Sequence, residues 1–96
     1  MNNKNVLVTT EYRGVFFGKF VEDRDNGKTV VLTDCQNCIR WGESVKGFLG
    51  LASAGPDSSC RIGPPAKKTV LYGVTSITEC SDAAADAWRS MPWSRQ

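Results

Sequence analysis

The most reactive spacing in the chain is Cys35-Gln36-Asn37-Cys38. A C-x-x-C pair can act as a dithiol or as half of a zinc site. Dithiol chemistry wants a helix N-terminus to lower one thiol pKa, whereas this pair falls in an expected turn ahead of Ile39 and Trp41. Zinc would need Cys60 and Cys80 as its other ligands, and they lie twenty residues apart with no second knuckle. The cysteines therefore read as small buried thiols. The chain has no histidine, which removes the commonest general base and metal ligand. Its acids fall mostly in turns (Asp23, Asp25, Asp34, Asp57) or at a helix start (Asp82), where local capping accounts for them. The expectation is a protein that binds: no catalytic residue, no metal and no cofactor.

Binding chemistry has better candidates. Arg40 and Trp41 are adjacent on an expected strand, so they point to opposite faces of a sheet. With Trp41 in the core, Arg40 is presented outward as a mount for a phosphate or carboxylate; with Arg40 turned into a subunit interface, it meets a ligand there. Ser58-Ser59-Cys60-Arg61 combines hydroxyls, backbone amides and an arginine in a Gly/Pro-bounded loop, the makings of an anion cradle or an ordinary polar loop. Arg13-Gly14 is a further candidate. The nominated ligand-binding residues are thus Arg13, Arg40, Trp41, Ser59 and Arg61. Phe16, Phe17 and Phe20 either stack on a base or fill a core. Trp93, beyond Pro92, fits no core element and reads as a partner surface.

These residues must be positioned by short strands. Val6–Thr10 is a β-branched run, and Gly14–Glu22 carries apolar residues on both faces, as a strand covered on both sides would. Asp25-Asn26-Gly27-Lys28 is a hairpin turn that pairs Gly14–Glu22 with Thr29–Thr33. A turn at Asp34–Asn37 and a short strand Cys38–Trp41 should follow. Ser44–Ala54 places Val45, Phe48, Leu49 and Ala52 at helical spacing, with Gly47 and Gly50 weakening the helix. Cys60–Ile62 fits an edge strand. Thr69–Tyr72 and Val74–Thr78 form one long strand or two joined at a Gly73 bulge. Ser81 caps a helix Asp82–Ser90, with Ala84, Trp88 and Met91 on one face. The expected fold is α+β: a small curved antiparallel sheet or barrel with two short helices.

Ninety-six residues make room for one domain, residues 1–96, with a thin core. A net charge of +2, from 12 basic and 10 acidic residues, permits an anionic partner but forms no basic stripe, so a nucleic-acid polymer is not expected. No run is long and apolar enough for a membrane span, and Met1-Asn2-Asn3-Lys4-Asn5 is unlike a signal peptide. A cytoplasmic protein with reduced thiols is the expectation.

Thr9 to Gly18, Cys38-Ile39-Arg40-Trp41, Gly47 to Ala52, Cys60 to Pro64 and Val74 to Trp93 together resemble a group of small tailed-phage proteins. The layout is also similar to the phage Thoeris anti-defence sponge proteins. That resemblance implies a homo-oligomer in the cytoplasm of an infected host cell. It would bind a small, often cyclic, nucleotide immune signal and sequester it uncleaved, with arginines and stacked aromatics as its contacts. The alternatives are a protein-binding inhibitor of a host defence or replication protein, or a minor virion component.

Overall fold

The computed structural model describes residues 2–93; the Arg13 side chain lies outside the described residues. In chain order the elements are β1 (Asn5–Thr10), β2 (Gly14–Arg24), β3 (Thr29–Arg40), α1 (Gly47–Ser53), β4 (Arg61–Ile62), β5 (Ala66–Leu71), β6 (Val74–Glu79) and α2 (Asp82–Ser90). Short 3-10 turns at Glu11–Arg13 and Glu43–Val45 precede β2 and α1. The fold is α+β, with one curved, unclosed antiparallel sheet and two helices.

The sheet runs β4-β3-β2-β1-β6, and β5 also pairs with β3. Asp25, Asn26 and Gly27 all adopt positive φ, so the β2–β3 hairpin turns where the sequence places it. Strand β3 differs from expectation. It continues for 12 residues to Arg40, and the expected turn at Asp34–Asn37 is a single bulged residue, Asp34, at φ 50°. Lys19 pairs with Thr33 while Phe17 pairs with Gln36, which marks the inserted residue. A bulge re-aims the strand without ending it. Tyr72-Gly73 is likewise no bulge within one strand. It links β5, hydrogen-bonded to β3, with β6, hydrogen-bonded to β1.

Both faces of the sheet are apolar, as β2 predicts. One cluster joins Val6 and Val8 with Phe20, Val30, Leu32, Cys35 and Leu71, and Val74 and Ile77 pack against it. Leu71 and Ile77 belong to strands on opposite edges, so the sheet must curl around this side. The other cluster unites Leu7, Val15, Phe17, Cys38 and Ile62 with Leu51 of α1 and Trp88 of α2. Helix α2 begins as its sequence dictates, with Ser81 Oγ accepting from the Ala84 amide at 3.0 Å. Trp88 stacks on Phe17, ring centroids 5.0 Å apart and planes within 3°.

Helix α1 is shorter than its sequence pattern. Lys46 takes the left-handed conformation at φ 64° and separates the Glu43–Val45 turn from the helix. Gly50 is required there, because a Cβ would collide with the Val45 carbonyl. Among the described residues, no helix is long and apolar enough to cross a membrane.

Candidate functional site

Leu7 and Val15 are sealed beneath the helices, but the next residue of β1 on that side, Thr9, lies at the margin of the cover. There a recess of about 390 Å³ opens, lined by Thr9, Thr10, Gly14, Val15, Trp41, Phe48 and Thr75. The strand registers Thr9↔Val15, Thr10↔Gly14 and Thr9↔Ser76 fix its floor. Thr9 Oγ1 shares hydrogen bonds with Thr75 Oγ1 at 2.8 Å and with Ser76 Oγ. Gly14 has no room for a side chain, since a Cβ would press on Thr10 Oγ1. The aromatic wall comes from two separate elements. Trp41 follows β3 and packs its half-buried indole against the helix-side core, while Phe48 projects from the first turn of α1.

Trp41 is the nominated residue that reaches this recess. Arg40 precedes it and lies directly opposite Arg61 across the β3–β4 pair; both arginines are exposed. The β3–β4 register shifts between Cys38 and Arg40, so this pairing brings the two backbones together without fixing both side chains to one face. The Arg13 side chain is outside the described residues, although its backbone stands in the turn between Thr10 and Gly14.

Ser59 is occupied otherwise. Its amide donates to Asp57 Oδ1 at 2.9 Å, and its hydroxyl donates to the same oxygen. Ser44 Oγ donates to Asp57 Oδ2 at 2.6 Å, and the Gly42 amide donates to Ser59 Oγ at 3.1 Å. The hydroxyl-and-amide cradle legible in Ser58–Arg61 therefore already holds an anion, the carboxylate of Asp57. The Ser44 and Ser59 donors hold its pKa below the usual aspartate value. A neighbouring recess of about 520 Å³, between α1 and the Pro56–Asp57 loop, carries both Lys46 and Asp57 in its wall.

The C-x-x-C motif is divided by the sheet. Cys35 lies in the curled-side core and Cys38 in the helix-side core. Three residues apart on an extended strand, they face opposite ways, which suits neither a shared metal nor a mutual disulfide. Burial pushes the thiols of Cys38 and Cys80 up to about 12, and that of Cys35 upward as well. All four cysteines are free. Among the described residues no group of three or more cysteines and acids is arranged to hold a metal ion.

Thr9, Thr10, Phe48 and Thr75 were not nominated by sequence. The threonines read only as β-branched strand formers, and Phe48 as one of the apolar positions of its helix. Nothing local reveals that β6 brings Thr75 against Thr9.

A family model described as a domain of unknown function, DUF6948, matches residues 3–88. The chain belongs to the DUF6948 family. The matched span covers β1 through most of α2, and so includes every wall of the Trp41–Phe48 recess. No curated protein matches the chain.

Proposed function

We propose that this DUF6948 protein binds a small anionic nucleotide at the Trp41–Phe48 recess and holds it intact. The observation that carries the reading is the meeting of aromatic rings and hydroxyls in one recess, with an arginine adjacent in the chain to one of the rings. Trp41 and Phe48 offer apolar ring surface and Thr9, Thr10 and Thr75 offer hydroxyls in the recess itself, while Arg40, the residue before Trp41, ends β3. A base wants the first, a ribose the second and a phosphate the third. The volume lies at the lower end of small-ligand sites, about 300–1,000 Å³, and suits one nucleotide unit. Holding rather than cleaving follows from a chain without histidine and with thiols kept protonated by burial. In its biological form this is a sponge: a homo-oligomeric phage protein that withdraws a nucleotide immune signal in the host cytoplasm.

The test is calorimetric titration with AMP, ADP-ribose, cyclic di-AMP and cyclic di-GMP, followed by mass spectrometry of ligand released by heating. Binding of at least one, released with unchanged mass and weakened tenfold or more by Trp41→Ala and Arg40→Ala, is the expected result. Failure of all four to bind, or release of a cleaved product, refutes it.

A second reading rests on exposed aromatic surface. Tyr72 and Trp93 are 72% and 56% exposed, and Leu49 stands out from α1. A protein-binding inhibitor of a host factor would use such side chains, and it would co-purify with that factor instead of a nucleotide.

A further inference from the structure

Tyr12 occupies a left-handed backbone conformation, φ 64° and ψ 25°, inside the Glu11–Arg13 turn. Glycine, asparagine and aspartate tolerate that region; a bulky aromatic residue is strained in it. Strain of this kind persists where the surroundings impose it. Here they do: the Glu11 amide donates to the Gly73 carbonyl at 2.9 Å, and Thr10 Oγ1 donates to the Glu11 carbonyl at 3.1 Å. The ring receives nothing in return from the fold, since Tyr12 is 98% exposed. A strained tyrosine that packs on none of the described residues calls for a contact outside them.

The position of the turn says where that contact lies. Thr10 and Gly14, its two flanking residues, both line the recess. Tyr12 is two residues from each, so its Cα is at most about 7.6 Å from either Cα. Its backbone therefore stands near the margin of the recess, while Trp41 and Phe48 form the wall.

We infer that Tyr12 is a ligand contact, an aromatic cover that stacks on the exposed face of a base seated in the recess. The inference rests on the nucleotide reading above and adds to it a specificity for planar aromatic ligands over flat-sided sugars or simple phosphates. The left-handed backbone fixes the ring's point of attachment at the rim, so less freedom is lost when a ligand arrives.

Two variants test it, with AMP and cyclic di-AMP as probes. Tyr12→Asn keeps a residue that tolerates the left-handed turn and removes the ring; Tyr12→Phe keeps the ring and removes the hydroxyl. Tyr12→Asn should retain or raise the urea midpoint while weakening the bound probe about 5- to 150-fold, the range of one base–aromatic stack. Tyr12→Phe should bind as the wild type does. Unchanged affinity in Tyr12→Asn, with Trp41→Ala losing affinity, overturns the role of Tyr12 and leaves the recess reading standing. Failure of these probes, and of ADP-ribose and cyclic di-GMP as well, to bind the wild-type protein overturns the two together. A Tyr12→Asn protein that loses stability and affinity in parallel makes the residue structural and also refutes the inference.

Discussion

Trp88 is the side chain on which attachment of the helices to the sheet should depend most. It is fully buried, stacks on Phe17 and donates from Nε1 to the Leu51 carbonyl at 3.2 Å. That bond belongs to a set, because the last carbonyls of α1 have no partners within the helix. Leu51 O takes the indole, Ala52 O takes the Ser81 amide at 3.0 Å, and Ser53 O takes the Ser81 hydroxyl at 2.6 Å. The two helices are thus joined end to start by hydrogen bonds. Trp88→Phe preserves an aromatic ring against Phe17 but strands the buried Leu51 carbonyl, at a cost of about 1–3 kcal/mol. The smaller ring forfeits about 1 kcal/mol more in packing. The sum, about 2–4 kcal/mol, is a large part of the ~5–15 kcal/mol that holds a domain together. At about 4–8 °C per kcal/mol for a domain of this size, the melting temperature should fall by about 8–32 °C. Urea denaturation followed by far-ultraviolet circular dichroism measures this without relying on the fluorophore that has been removed. A Trp88→Phe protein within about 0.5 kcal/mol of wild type would show that neither the indole bond nor the ring area secures α1.

Ser81→Ala should cost about 1–2 kcal/mol in the same assay, since one hydroxyl both caps α2 at the Ala84 amide and satisfies Ser53 O. Gly18→Ala should destabilise by about 1–3 kcal/mol: the added Cβ would sit 2.9 Å from the Thr33 carbonyl oxygen and 3.3 Å from the Cys35 Cα, backbone atoms that cannot swing aside. The thiols set a pH dependence. Cys38 and Cys80 ionise near 9.0 when unfolded and at about 12 when folded, so above pH 9 the unfolded chain binds fewer protons than the folded one. Their contribution is fully present below about pH 9 and drains away as pH rises toward 12; the urea midpoint should therefore fall between pH 8 and pH 10.5, and Cys38→Ser with Cys80→Ser should flatten the decline. In the native protein at pH 8 neither thiol should react with Ellman's reagent.

Features fixed within a few residues were legible in the sequence. Asp25-Asn26-Gly27 carries its own preference for positive φ, and Ser81 its own capping hydroxyl, so both stand where their residue types place them. Asp34 was misleading for an equally physical reason. Aspartate is a good turn residue, but here the left-handed conformation absorbs one extra residue and the strand resumes. Continuing lets Cys35 reach the curled-side core and Cys38 the helix-side core. Only the packing of both faces decides that. The site divides in the same way. Trp41 was legible as a large aromatic beside an arginine, whereas Phe48 and Thr75 join it through the docking of α1 and the pairing of β6, which no local pattern encodes.

The recess differs from the other polar clusters in which donors are already engaged. Around Asp57 a carboxylate consumes the Ser44 and Ser59 hydroxyls and the Ser59 amide, so an incoming anion would meet like charge instead of a vacant cradle. At the start of α2, Ser81 is committed to Ser53 O and Ala84 N. Arg89, in the last turn of α2, donates to the Asp34 carbonyl and to Gln36 Oε1, both at 2.8 Å, and lies 4.5 Å from the centre of the Phe17 ring. Gln36, fully buried, passes that restraint on through Nε2 to the Gly63 carbonyl at 3.0 Å. These groups hold the bulged β3 against α2 and the turn after β4; asking any of them to bind a ligand would cost the fold a buried hydrogen bond. The Thr9–Thr75–Ser76 hydroxyls differ because they bond chiefly to one another at the edge of the core. A hydroxyl both donates and accepts, so such a cluster can exchange one partner for a ribose oxygen and leave no buried group stranded. That exchangeability, in a recess that Trp41 and Phe48 also line, is what sets this corner of the sheet apart from the rest of its polar surface.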